Sequence, residues 1–151
     1  MAIHTRTLEL RTEKEAEFID ITGPVNAALK EMNTKTGIVL IQTLNTTTAI
    51  YVNEDEKYLF EDLEAHLESK APKGNYKHDQ IALRECPEDE PLNGHAHVKA
   101  ALYGSPSVTL AYDKGSLTIG KWQRVLFAEY DGPCPRHNKS VRKILVRAIG
   151  E

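Results

Sequence analysis

Apolar and polar residues alternate from Ile3 to Thr12 and again from Ala16 to Ile21, the two-residue period of half-buried strands. The polar Glu13–Lys14–Glu15 between them predicts a hairpin. The period then changes. Val25, Ala28, Leu29 and Met32 fall at i, i+3, i+4 and i+7, one helical face, with Thr22 as cap, Pro24 in the first turn and Gly37 as the stop. Ile38 to Ile41 is apolar without a break, which predicts a strand covered on both faces. A second strand follows from Ala49 to Val52. Asn53 with Glu56 has capping-box spacing, and Leu59, Leu63, His66 and Leu67 form the buried stripe of a helix that Ala71–Pro72 ends.

Residues 73–92 carry no period and predict a functional or mobile loop. Asn93 is placed to cap a third helix from about Gly94 to Tyr103, with Gly104 as its left-handed stop. Strand patterns return at Val108 to Tyr112, Leu117 to Ile119, Trp122 to Tyr130 and Val141 to Ile149. In the longest of these, Gln123, Val125, Phe127 and Glu129 share one face, and Trp122, Arg124, Leu126, Ala128 and Tyr130 share the other. The pattern predicts an α+β fold: an antiparallel, β-sandwich-like core of about eight strands, with three helices on one side. With no internal repeat or boundary, residues 1–151 read as one domain.

Composition narrows the class. Apolar residues make up 40% and charged residues 27%, as in a soluble globular protein. A net charge of −3 gives no electrostatic reason for a nucleic-acid or membrane partner. No apolar run approaches the roughly 18 residues of a membrane span. The opening MAIHTRTLEL lacks a secretory apolar core. Cys86 and Cys134 are too few for a disulfide framework, so a cytoplasmic location is expected.

Candidate chemistry centres on histidines. In His95-x-His97 the two side chains diverge by about 200° on a helix, so one of them enters a given site. His97 aligns with the small residues Ala100, Ala101 and Gly104, and it is the favoured member. His78 lies in the irregular segment, where functional groups concentrate. Together with a carboxylate, His78 and His97 could bind zinc. Asn53–Glu54–Asp55–Glu56 reads either as a cation site or as acids favoured by a helix N-terminus, and Asp62 sits on the polar side of the same helix. Gln123 and Glu129 on an apolar face need partners if buried, and so point to a site or a subunit interface. The basic run Arg136 to Arg147 could meet an anion or simply be solvated. No Walker loop, GxGxxG, GxSxG or HExxH is present.

Taken together, TTAIYVNEDE, Asp62, Tyr76-x-His78, NGHAHVKAALYGS, GSLTIGKWQ and EYDGP resemble the YjbQ family over nearly the whole chain. The resemblance implies an α+β fold with a β-sandwich core, a homotrimer, and a polar, metal-binding site. By position it puts Asn53, Glu54, His78 and His97 in catalytic roles, with Asn93 and Gln123 on the substrate. His78, His97 and Asp62 would hold a divalent ion, zinc or magnesium. The family is often labelled secondary thiamine-phosphate synthase, which implies joining a pyrimidine diphosphate to a thiazole phosphate. Lys99, Arg124 and Arg136 could then stabilise the departing diphosphate. The alternative is a non-catalytic trimer that binds a metal ion or small anion through His78 and His97. Two departures stand out. Thr46 occupies a position where the family has histidine, and Cys134–Pro135 separates the DGP turn from Arg136.

Overall fold

The computed structural model describes residues 1–87, 89–134 and 141–151. Its strands are β1 (Ala2–Leu10), β2 (Glu17–Asp20), β3 (Thr36–Thr43), β4 (Thr48–Asn53), β5 (Ser107–Asp113), β6 (Ser116–Leu117), β7 (Arg124–Glu129) and β8 (Arg142–Gly150). Three helices interrupt them: α1 (Thr22–Glu31), α2 (Lys57–Lys70) and α3 (Gly94–Tyr103). One sheet has the order β1-β8-β3-β5-β6 and the other β2-β7-β4, with every pairing antiparallel. The α+β class and the element count match the sequence pattern.

The expected β1–β2 hairpin does not form. Ile3 lies opposite Ile149 on β8, whereas Phe18 lies opposite Ala128 on β7, so the two strands belong to different sheets. Alternation encodes which face of a strand is buried; it does not encode the partner. The helices are also not all on one side. Val25, Ala28 and Leu29 of α1 join Val39, Ile41, Val125, Phe127, Ile144 and Val146 in the core between the sheets. Leu67 of α2 and Ala96 of α3 pack with Ala49, Ala128 and Tyr130 on the far face of the smaller sheet. Strand β7 is therefore covered on both faces. Burying a side chain such as Phe127 or Leu29 contributes roughly 1.5–3 kcal/mol.

Two helix ends differ from expectation. Helix α1 stops at Glu31, where Asn33, at φ 52°, makes a left-handed turn; Gly37, the expected stop, lies in β3. Helix α2 is capped by Glu56, whose carboxylate accepts the N–H groups of Tyr58 at 2.9 Å and Leu59 at 2.7 Å. Asn53 turns away, and its Oδ1 accepts the N–H of Glu54. Glu56 has the longer reach and lies adjacent to the first turn, where a carboxylate also complements the helix dipole.

Strand β3 is not covered on both faces as expected. Val39 and Ile41 are buried, but Ile38 is 49% exposed. On the same outer face, register places Ile38 beside Ile149 and Ala111, and Ile149 beside Ile3, which is 68% exposed. No helix among the described residues is long and apolar enough to cross a membrane.

Candidate functional site

Helix α3 carries the histidines, and both of its ends are fixed. At the start, Asp79 Oδ1 accepts the Gly94 N–H at 2.8 Å. The Asn93 side chain does not cap the helix as expected; its Nδ2 donates to Asp131 Oδ2 at 2.8 Å. Glycine is required at 94 because a Cβ there would lie 2.5 Å from the Cβ of Tyr76. At the far end the Tyr51 hydroxyl donates to the Tyr103 carbonyl and meets the Tyr130 hydroxyl at 2.6 Å. Gly104 ends the helix in an extended conformation, φ −130°, rather than the expected left-handed one. It is small because a Cβ would strike that of Ala49.

The two faces of α3 lead to different places. His97 is half-buried, and its ring centroid lies 4.4 Å from that of His78, with 56° between the planes. His78 sits on a short 3-10 turn, Lys77–Asp79, just before Arg84. Arg84 Nε donates to the His78 carbonyl at 2.8 Å, and one terminal guanidinium nitrogen lies 3.4 Å from His78 Nε2 and 3.2 Å from Glu90 Oε1. Burial first, then His78, holds the His97 imidazole below its ordinary 6.5, although Asp131 and Glu90 pull the other way. The ring is thus neutral near pH 7. Along the same face, His97, Ala100, Ala101 and Gly104 line an open groove of about 450 Å³, with Asn45, Thr46, Thr48 and Pro106 as its other wall.

The opposite face holds His95 and, one turn on, Lys99. His95 is 2% exposed, and its Nε2 lies 3.4 Å from Glu15 Oε1 without hydrogen-bond alignment. Lys99 donates to Glu68 at 2.7 Å beside a cleft walled by Phe18, Leu67 and Tyr130. Its ammonium is directed to this cleft and away from the His97 groove.

Among the described residues, Asn53, Glu54, Asp62 and Gln123 do not join the histidine pair. Thr48 lines the His97 groove, but Asn53 is the last residue of β4, roughly 16 Å along the strand, and Glu54 lies just beyond it. Asp62 is exposed on α2. Gln123 is exposed in the turn before β7, where its Oε1 accepts the Gly120 N–H at 2.8 Å. Trp122 is likewise exposed. Arg136 lies outside the described residues. Among the described residues, no three His, Cys, Asp or Glu side chains are grouped to hold a metal ion. The two imidazoles alone supply half of a tetrahedral set.

Sequence reasoning missed Arg84 and Arg142. Arg84 lies in the segment without period, where no pattern singles out one side chain. The sequence pattern places Arg142 in a basic run on a terminal strand, yet it reaches inward to Glu129 at 2.6 Å. The unusual carboxylate on an apolar face was the available signal for that pair.

A family model described as "UPF0047 protein YjbQ-like" matches residues 6–151. A UPF0047 protein of Archaeoglobus fulgidus is 38% identical over 143 residues, covering 94% of this chain and 98% of its own length. The UPF0047 protein YugU of Bacillus subtilis is 32% identical over 133 residues, covering 87% and 92%. A crystal structure of a YbjQ-like protein of unknown function from Sulfolobus solfataricus superposes with a TM-score of 0.83 at 30% identity, over 99% of both chains.

Proposed function

The chain belongs to the UPF0047 YjbQ-like family, and we propose that its His78–His97 pair with Arg84 is a centre acting on a small phosphorylated molecule, as a thiamine-phosphate-synthase-like transferase. The observation that carries this reading is the 4.4 Å approach of the two rings, from a loop and a helix, beside a guanidinium. In such a transfer the carbon–oxygen bond to diphosphate breaks, and a thiazole nitrogen forms the new bond to that carbon. The oxygen that departs gains negative charge. Arg84 and imidazole N–H groups can receive it in a partly buried setting, where electrostatic stabilisation is strongest. The groove beyond His97 has room for the apolar part of a substrate.

The test is the purified chain with a pyrimidine diphosphate, a thiazole phosphate and magnesium, read by release of diphosphate. Arg84→Met is expected to lower turnover by about 10²-fold, the usual loss on removing one group that stabilises an oxyanion. Parent turnover no higher than that of His97→Ala would remove the reading.

A second reading, a non-catalytic trimer that binds an anion, is favoured by the separation of Asn53 and Glu54 from the histidines. Diphosphate binding by calorimetry, without turnover, would support it. The homotrimer itself is supported by the open apolar face around Ile3, Ile38 and Ile149, since such faces mark interaction surfaces. A sedimentation mass of one chain would contradict it.

A further inference from the structure

Glu129 is a buried carboxylate that the proposed chemistry does not use. It is 0% exposed. Its Oε2 accepts from Thr12 Oγ1 at 3.0 Å and from Arg142 Nε at 2.6 Å. Its Oε1 accepts from Arg142 at 2.9 Å and from the backbone N–H groups of Tyr130 at 3.1 Å and Asp131 at 3.0 Å. Charge-assisted bonds of this kind are short and directional. Here they clamp the turn that follows β7. Arg142 comes from β8, so the clamp joins the two sheets at that turn.

The turn presents Asp131 to Asn93 Nδ2 at 2.8 Å. The Asn93 carbonyl in turn accepts the N–H groups of Ala96 at 2.9 Å and His97 at 3.2 Å. A continuous hydrogen-bonded path therefore runs from Arg142 through Glu129, Asp131 and Asn93 to the backbone of His97. Asn93 and Asp131 are both buried, so water does not readily replace these bonds. We propose that Asp131, held by the turn that Glu129 clamps, is a positioning residue for His97: through Asn93 it holds the His97 ring against His78. This rests on reading the histidine pair as the working centre.

Glu129→Gln leaves Arg142 without a charge partner and lowers the stability of the whole fold, so the deciding variants are Asp131→Ala and Asp131→Asn in the full chain. Asparagine at 131 still offers an oxygen to Asn93; alanine does not. Two readouts serve: cross-relaxation between the His78 and His97 ring protons, and hydrogen exchange at the Ala96 and His97 amides. In D131A the ring cross-peak is expected to disappear and amide exchange to rise about tenfold, the effect of losing one such bond. In D131N both are expected to stay near parent values. Equal loss in both variants, or no change in D131A, would overturn the proposal. Neither readout needs turnover, so a chain inactive in the transferase assay but rescued by D131N would lose the enzymatic reading and keep the positioning path.

Discussion

Removing Arg142 tests the clamp by stability. Its side chain is 13% exposed and that of Glu129 0%, and two of its nitrogens reach the carboxylate at 2.6 and 2.9 Å. Burial disfavours the guanidinium charge, but Glu129 more than offsets this and raises its proton affinity. Arg142→Met keeps most of the packing volume and leaves a buried carboxylate unpaired, which costs about 3–5 kcal/mol. Thr12 and two backbone N–H groups still solvate that carboxylate, so the lower figure, about 3 kcal/mol, is expected. At about 2–4 °C per kcal/mol for a chain of this size, Tm falls by about 6–12 °C. Urea unfolding of Arg142→Met, Glu129→Gln and the double variant completes a thermodynamic cycle. The double variant should be more stable than the sum of the two single losses by at least about 1 kcal/mol, because its glutamine still accepts the turn's N–H groups and no buried charge remains. A single loss below about 1 kcal/mol, or additivity of the two changes, would refute the assignment of a buried, coupled pair.

Two further predictions use equilibrium unfolding. Glu56→Ala should cost about 1 kcal/mol, the usual price of a lost cap, while Asn53→Ala stays within about 0.5 kcal/mol, and the reverse order would restore Asn53 as the cap of α2. On acidification, the depressed His97 means that the unfolded chain takes up the proton first. Its contribution to stability is present above 6.5 and is lost as pH falls below that value. Burial works against the Glu15 charge, but Lys73 and His95 outweigh it; Lys99 acts likewise on Glu68, so both carboxyls lie below 4.5 and their contributions disappear at still lower pH. Urea midpoints across pH should therefore fall in two stages. His97→Phe should flatten only the upper one; an unchanged upper stage would show that His97 does not titrate as described.

The legible parts of this molecule were those specified by neighbouring residues. Helix α3 could be read to its ends from the Asn93–Gly94 start, the Ala-rich turns and Gly104. About eight strands followed from alternation and, at Ile38 to Ile41, from an unbroken apolar run. Pairing was not legible, because β1 and β8 meet across almost the whole chain and β1 has the same period as β2. The separation of His95 from His97 was legible because helix geometry imposes it. The pairing of His78 with His97 followed from residue type and from the family resemblance and not from local pattern, since their approach depends on 3-10 turns at Lys77–Asp79 and Ile81–Leu83 and on the Arg84 bond to the His78 carbonyl. Glu129 lay between these cases. A carboxylate flanked by Phe127 and Ala128 announced that it needed a partner, while the partner lay on another sheet.

Thr46 allows the two faces of α3 to be distinguished by experiment. It lines the groove that His97 enters, on the loop just before β4. A histidine at this position would face the same space, and His78 already adjoins His97 at 4.4 Å. Thr46→His would therefore offer three imidazoles where two now stand, enough for a catalytic-type zinc set with one open position. A site present only in the folded chain, at zinc 100-fold above its Kd, adds about 2.7 kcal/mol. At about 2–4 °C per kcal/mol this raises Tm by about 5–11 °C. The same substitution combined with His97→Ala should lose that gain, whereas combination with His95→Gln should keep it, because His95 projects from the opposite face toward Glu15. A zinc-induced rise that depends on His95 and not on His97 would mean that the groove is not where the histidines converge.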